Sequence, residues 1–394
     1  MAAADVTVEG RVAAGWEPVR EAFAANFAER GDVGAACAVY LDGSPVVDLW
    51  GGVADGRAGR DWSADTMALV YSTTKGLTAV VAHMLAAAGA VDLDAPVCDL
   101  WPEYSAGGKG ATTLRHMLAH RAGLPTFEPA LASDQALAWR PAVEALARQA
   151  PRWEPGSRHG YHAVTYGWLV GEVLRRATGS TVGQLLAEHV GGPLGADCFI
   201  GLPEHEEPRV ARLLAAPAPA VPGAADLAEL PPGALDRLAA YADPASLTMR
   251  ALNPTTPPFN FNSREVHAAE LPAANGVATA RSLARVYAAT IGAVDGVRLL
   301  DAATLADATA EQSAGPDAVL LVPTRFGSGF QLASEFSPLL GPASFGHSGA
   351  GGSLAFADPD AGVGFAYVMN QMQQNLSGDP RTAALIGAVR ACLA

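Results

Sequence analysis

Strand signals stand at the two ends of this chain, and helical signals fill its middle. Near the start, apolar runs at 35–41 and 45–50 flank Asp42-Gly43-Ser44, which reads as a β-hairpin. Near the end, runs at 353–357 and 364–369 flank the turn Asp358-Pro359-Asp360-Ala361-Gly362. Between them, 72–89, 113–122, 133–150, 165–179 and 182–190 carry helical periodicity broken by Gly or Pro. Val12, Trp16, Val19, Phe23 and Phe27 make one face of an N-terminal helix, and Leu385, Ile386, Val389 and Cys392 make one face of a C-terminal helix. Sheet and packing helices at both ends make one domain built from both termini the economical architecture. The pattern therefore predicts an α/β (α+β) fold. An antiparallel sheet built from 1–70 and 276–394 is flanked by terminal helices, and a mostly helical domain, 71–275, is inserted between its halves. The irregular run 243–264 is long for a compact domain and reads as a binding wall. The Ala-Pro stretch 215–225 is the only low-complexity piece.

Composition narrows the function. Half of the 394 residues are apolar and 17% are charged, which excludes a disordered chain. A net charge of −14 opposes partnership with nucleic acid or an anionic membrane surface. No apolar run approaches the ~20 residues of a membrane span. The first twenty-one residues lack a basic start followed by an apolar run, so a cytoplasmic protein is expected. Four scattered cysteines without a CxxC pair read as reduced, mostly buried thiols. His116 and His120 stand four apart, but Met117 occupies the position where a zinc hydrolase carries Glu, so they read as helix-packing residues. No Gly-x-Ser-x-Gly elbow is present. No cofactor or metal is implied.

The basic residues are 24 Arg and two Lys, Lys75 and Lys109. Arg stays protonated in a protein, whereas a desolvated Lys can lose its proton. Lys109 falls in Ser105-Ala106-Gly107-Gly108-Lys109-Gly110, which reads as a flexible polar loop. Lys75 falls in an apolar helix, one turn after Ser72 in Tyr71-Ser72-Thr73-Thr74-Lys75. A hydroxyl is a weak nucleophile until a base takes its proton, and a buried amine can be that base. Ser72 can also be a plain helix cap. Tyr161 lies in His159-Gly160-Tyr161-His162-Ala163, where a phenol beside a lysine ammonium would have its pKa lowered and could shuttle protons. Gly346-His347-Ser348-Gly349-Ala350-Gly351-Gly352 lets a ligand approach the backbone closely.

In this order the three elements resemble the serine β-lactamase and penicillin-binding-protein superfamily, whose pattern is S-x-x-K, then Y-x-N or S-x-N, then K-T-G. The nearest likeness is to class C β-lactamase-like carboxylesterases, the family VIII esterases. Supporting phrases are Thr113-Leu114-Arg115-His116-Met117-Leu118, Gly123-Leu124-Pro125, Asn275-Gly276 and Ser353-Leu354-Ala355-Phe356-Ala357-Asp358-Pro359. The resemblance implies Ser72 as the acylated nucleophile, with Lys75 and Tyr161 sharing the base and proton-shuttle work. It places the oxyanion hole at the backbone N–H groups of Ser72 and Ala350. His347, Ser348, Gly349, Trp153 and Phe259 are expected to bind substrate, with Glu206, His159 and Phe261 as further wall candidates. Two departures matter: Ala163 stands where the family carries Asn, and His347 stands where it carries Lys. Both weaken recognition of a β-lactam or peptide. The implied activity is a carboxylesterase acting on a small-molecule ester with a short acyl chain. An acyltransferase or a weak β-lactamase would use the same acyl-enzyme, and a silent ligand binder would keep only the scaffold.

Overall fold

The structure is a computed structural model that describes residues 6–217 and 233–394. Residues 218–225 of the Ala-Pro stretch and the first five of the N-terminal stretch lie outside the described residues. Among the described residues ten strands form one antiparallel sheet. Nine follow a single path: β1 (Val8–Val12), β2 (Gly34–Leu41), β3 (Ser44–Asp55), β4 (Ser313–Pro316), β5 (Pro323–Phe326), β6 (Gln331–Leu332), β7 (Phe345–Ser348), β8 (Leu354–Asp358) and β9 (Val363–Met369). Their spatial order is β1-β3-β2-β9-β8-β7-β6-β5-β4, with the two-residue strand Arg60–Asp61 pairing off the path with β3. The join between the chain ends is β2 against β9, in register from Leu41↔Val363 to Ala35↔Met369.

Five helices matter for the site: α1 (Glu17–Glu29), α2 (Thr74–Ala87), α3 (Thr165–Thr178), α4 (Ala280–Ile291) and α5 (Pro380–Leu393). Side chains alternate across a strand, so β2 serves two cores. Ala35, Cys37 and Val39 join Phe23 and Phe27 of α1 and Leu385 and Val389 of α5 on one face. Ala36, Ala38 and Tyr40 face the other way, with Leu283 and Ala284 of α4 and the apolar face of α2. Small residues on that second face let α4 lie close. A Cβ at Gly364 of β9 would stand 2.6 Å from the Ala284 carbonyl oxygen. Fully burying a side chain such as Phe23 contributes about 1.5–3 kcal/mol, so each face is held by many modest gains.

Four local expectations are corrected. Val12 is not helical: it ends β1 opposite Val47, and α1 begins only at Glu17, with Pro18 in its first turn. The helix expected at 133–150 divides into Ser133–Leu137 and Arg140–Arg148, because Trp139 between them takes φ 65°. Lys109 is not in a flexible loop but fully buried, its Nζ donating to the carbonyls of Ala106, Ala147 and Gln149. The run 243–264 is less irregular than expected, since it holds the helix Leu247–Leu252. No helix among the described residues is long and apolar enough to cross a membrane.

Candidate active site

Ser72 sits in a tight turn that leads into α2. Successive i→i+3 bonds run from Thr73 N to Val70 O, Thr74 N to Tyr71 O, Lys75 N to Ser72 O and Gly76 N to Thr73 O. Tyr71, just before Ser72, takes φ 45°. A non-glycine residue in that region costs on the order of 1–3 kcal/mol, held here by its surroundings. Thr74 Oγ1 accepts the Gly276 amide at 2.8 Å, and Val70 N donates to Gly276 O at 2.8 Å. A Cβ at position 276 would meet Thr74 Oγ1 at 2.6 Å, so only glycine fits against the turn. Asn275 holds the approaching loop through bonds to Val266 O, Ala269 O and the Leu271 amide. The phrase Asn275-Gly276 thus clamps the serine turn from behind.

Lys75 is fully buried, with Nζ 3.1 Å from Ser72 Oγ, 2.7 Å from Ala163 O and 2.9 Å from Ala273 O. Burial holds its pKa well below the usual lysine value. Carbonyl oxygens only accept, so both take an N–H. A neutral amine has two N–H groups and one lone pair. The charged amine donates its third N–H to Ser72 Oγ, whereas in the neutral form the lone pair is free to accept from the Ser72 hydroxyl. The geometry puts the amine within hydrogen-bond reach of the serine hydroxyl.

Tyr161 stands against this pair, with Lys75 Nζ 4.8 Å from its ring centroid. Its amide donates to Asp317 Oδ1 at 3.0 Å, and its ring packs on His120 at 4.7 Å between centroids. The expected lowering of the phenol pKa is not found: burial raises it, with Ser72 hydrogen bonding as a smaller opposing influence. The physical reason is that Lys75, itself desolvated, supplies no dependable ammonium. The phenol keeps its proton. His162 supports the same loop: its Nδ1–H donates to Gly160 O at 2.7 Å, and its Nε2 accepts the Leu124 amide at 2.9 Å.

Ser72, Tyr161, Ala163 and Ala350 share one cavity of about 360 Å³. Its wall is otherwise mostly apolar and includes Leu252, Phe259, Phe261, Leu320, Phe336 and Met372. The amides of Ser72 and Ala350 find no protein acceptor among the described residues. Phe259 and Phe261, both wall candidates from the sequence, line this cavity. Trp153, His347, Ser348 and Gly349, expected to meet substrate, do not line this cavity. Trp153 packs edge-on against His162 behind the Tyr161 loop. His347 is buried on β7 with Nδ1 2.7 Å from Ser348 O, and burial pushes its pKa down to about 3. Ser348 Oγ bonds Ser377 Oγ at 3.0 Å. Gly349 is pressed on the serine turn, where a Cβ would stand 2.2 Å from Val70 O. Those three shape the strand end that carries Ala350. His159 bonds Thr324 Oγ1 and Glu206 pairs with Arg209, neither on the cavity. Leu320, Phe336, Met372 and Gln331 were missed, since nothing local marks residues that tertiary packing brings to a wall.

A larger cleft of about 870 Å³, lined by Trp101, Trp139 and Glu172 among others, lies away from Ser72. Its Arg175 and Arg176 are paired with Glu172, so chemistry rather than size selects the smaller cavity.

A serine whose hydroxyl meets a buried lysine one turn later, beside an antiparallel sheet closed by both chain ends, defines the S-x-x-K class of β-lactamase-like folds. The chain belongs to the β-lactamase family, which matches residues 19–389. It is 38% identical over 365 residues to the esterase/β-lactamase LipL of Mycobacterium tuberculosis, covering 90% of this chain and 81% of that one. Among solved structures, a family VIII carboxylesterase superposes with a TM-score of 0.86 at 38% identity, over 98% of this chain and 100% of that one. EstA from Arthrobacter nitroguajacolicus Rue61a gives 0.84 at 34% identity, over 97% of each chain.

Proposed function

We propose that this chain is a carboxylesterase that cleaves small, uncharged esters with a short acyl half through an acyl-enzyme on Ser72. The observation that carries the reading is the Ser72–Lys75 pair, 3.1 Å apart, opening on an apolar cavity. Lys75 takes the Ser72 proton as Oγ attacks the ester carbonyl. The Ser72 and Ala350 amides receive the oxyanion, where one lost donor typically costs about 10²–10³ in rate. Tyr161, holding its proton, relays one to the departing alcohol and is reprotonated from Lys75. Water then attacks the acyl-Ser72 carbon and reverses the steps. Among the described residues no Lys or Arg lines the cavity, so the carboxylate of a β-lactam has no cation to meet. Acyl transfer to an alcohol is a second reading, favoured by the apolar wall, which holds an alcohol better than water.

On this reading the active site lies at the junction of the sheet portion, 1–70 and 276–394, with the inserted portion, 71–275. Four free cysteines, with Cys37 and Cys198 buried, support a reducing, cytoplasmic setting.

The test is p-nitrophenyl butyrate hydrolysis by wild type and Ser72→Ala at equal folded concentration. Turnover in wild type and its loss in the variant, with unchanged circular dichroism, is the expected result. Full activity in Ser72→Ala would end the proposed mechanism. Adding an alcohol to the wild-type assay and measuring the transesterified product separates hydrolysis from acyl transfer.

A further inference from the structure

The cavity wall offers few polar side chains besides Ser72 and Tyr161, and one of them is oriented by the fold itself. Gln331 opens β6 and is 3% exposed. Its Oε1 accepts the Ser348 amide at 2.9 Å and the Ser337 hydroxyl at 3.4 Å. A backbone N–H can only donate, so the oxygen of this amide is assigned by its partner and the Nε2 end is assigned with it. Among the described residues Nε2 has no hydrogen-bond partner, and Gln331 lines the cavity. Two donors thus remain unspent in a pocket of Leu, Phe and Met side chains.

We infer that Gln331 is a specificity-determining residue whose Nε2–H groups bind an uncharged oxygen acceptor on the substrate, a second oxygen beyond the ester group itself. The inference rests on the esterase reading and names its substrate class: esters carrying a hydroxyl, ether or further carbonyl oxygen in the acyl or the alcohol half. A neutral acceptor fits because no cation lines the cavity among the described residues, whereas a carboxylate would be left uncompensated. Ala163 stands where the related pattern has an amide side chain. Gln331, reaching the cavity from the sheet, provides an amide by another route. A pocket built to hydrogen-bond a substrate oxygen discriminates against an analogue lacking it, because the donor is then buried unpaired.

The experiment compares kcat/KM within isosteric pairs. p-Nitrophenyl 3-hydroxybutyrate against p-nitrophenyl 3-methylbutyrate tests the acyl half. 2-Hydroxyethyl butyrate against propyl butyrate tests the alcohol half. Wild type should prefer the oxygen-bearing member of at least one pair by on the order of tenfold. Gln331→Leu should bring that ratio to near one. Gln331→Glu, assayed at pH 9, keeps an acceptor for the Ser348 amide while removing the donors, and should also abolish the preference. Judging the ratio within a pair cancels a general loss of rate from a loosened strand end. Equal rates within both pairs in wild type, or a preference that survives both substitutions, overturn the assignment while leaving the esterase reading intact. No turnover of any ester by wild type overturns that reading and this assignment together.

Discussion

Lys75 and Lys109 are the only lysines of the chain, and the fold treats them almost alike. Both are fully buried, and both direct Nζ at backbone carbonyls. Burial depresses both pKa values, Lys109 to about 8. Each also stands beside a tyrosine ring, Lys75 at 4.8 Å from Tyr161 and Lys109 at 5.1 Å from Tyr104. The difference is one acceptor. Lys109 meets three carbonyls, which consume three N–H groups and reward the charged form. Lys75 meets two carbonyls and a hydroxyl, and the hydroxyl can reverse the bond and donate. On the proposed mechanism, what separates the structural lysine from the reactive one is a single partner able to give up a proton.

The largest effect should come from removing Lys75. Lys75→Met is expected to lower kcat/KM by about 10³ or more, within or above the usual range for general acid–base catalysis. Lys75→Arg should be as inactive, because a guanidinium does not release its proton at working pH. Steady-state kinetics on p-nitrophenyl butyrate, with circular dichroism to confirm folding, check both. Normal rates in Lys75→Arg would show that charge, not proton transfer, is what the position supplies, and the contrast with Lys109 would collapse.

The two lysines also mark the limits of reading this chain without its structure. The Ser72–Lys75 relation is local: one helical turn in an apolar segment places the amine over the hydroxyl, and periodicity makes that visible. The sheet was equally readable, because alternation and turn residues at 35–50 and 353–369 are local signals. The partners of Lys109 are not local. Ala147 O and Gln149 O lie about forty positions on, and a Gly-Ser neighbourhood looks solvated until another segment covers it. The place of Trp153 is hidden for the same reason: an indole near such a motif packs behind the loop, here on His162, as readily as in front of it. Gln331 and Met372 reach the cavity only because β6 and the segment after β9 are brought there by the sheet order. Val12 shows the reverse error, since its spacing fits a helix, but ladder pairing with Val47 decides its state.

The second effect falls on stability. Lys109→Met leaves the carbonyls of Ala106, Ala147 and Gln149 without their donor, and should cost about 3 kcal/mol of unfolding free energy. Ester turnover per folded molecule should stay within about twofold of wild type, since no step of the chemistry reaches this lysine. Urea unfolding and active-site-titrated rates measure the two quantities separately. A selective loss of turnover with full stability would mean that Lys109 is coupled to the site after all.

The smallest effect is a slope. The Lys109 pKa falls from 10.5 to about 8 in the folded protein because the amine is desolvated. Between those pH values the unfolded chain holds a proton that the folded chain has released. Unfolding free energy must then rise with pH across that window, and the stability withheld at lower pH is recovered by about pH 10.5. Lys109→Met removes one such group, so its stability should climb less steeply than that of wild type from pH 8 to 10, by up to about 1.4 kcal/mol per pH unit. Tyrosines and Lys75 titrate in both proteins and cancel in the difference. Parallel lines would mean that three carbonyl acceptors repay the whole desolvation cost of the ammonium. In that case Lys109 would be a stably charged strut, and the depressed basicity would belong to Lys75 alone.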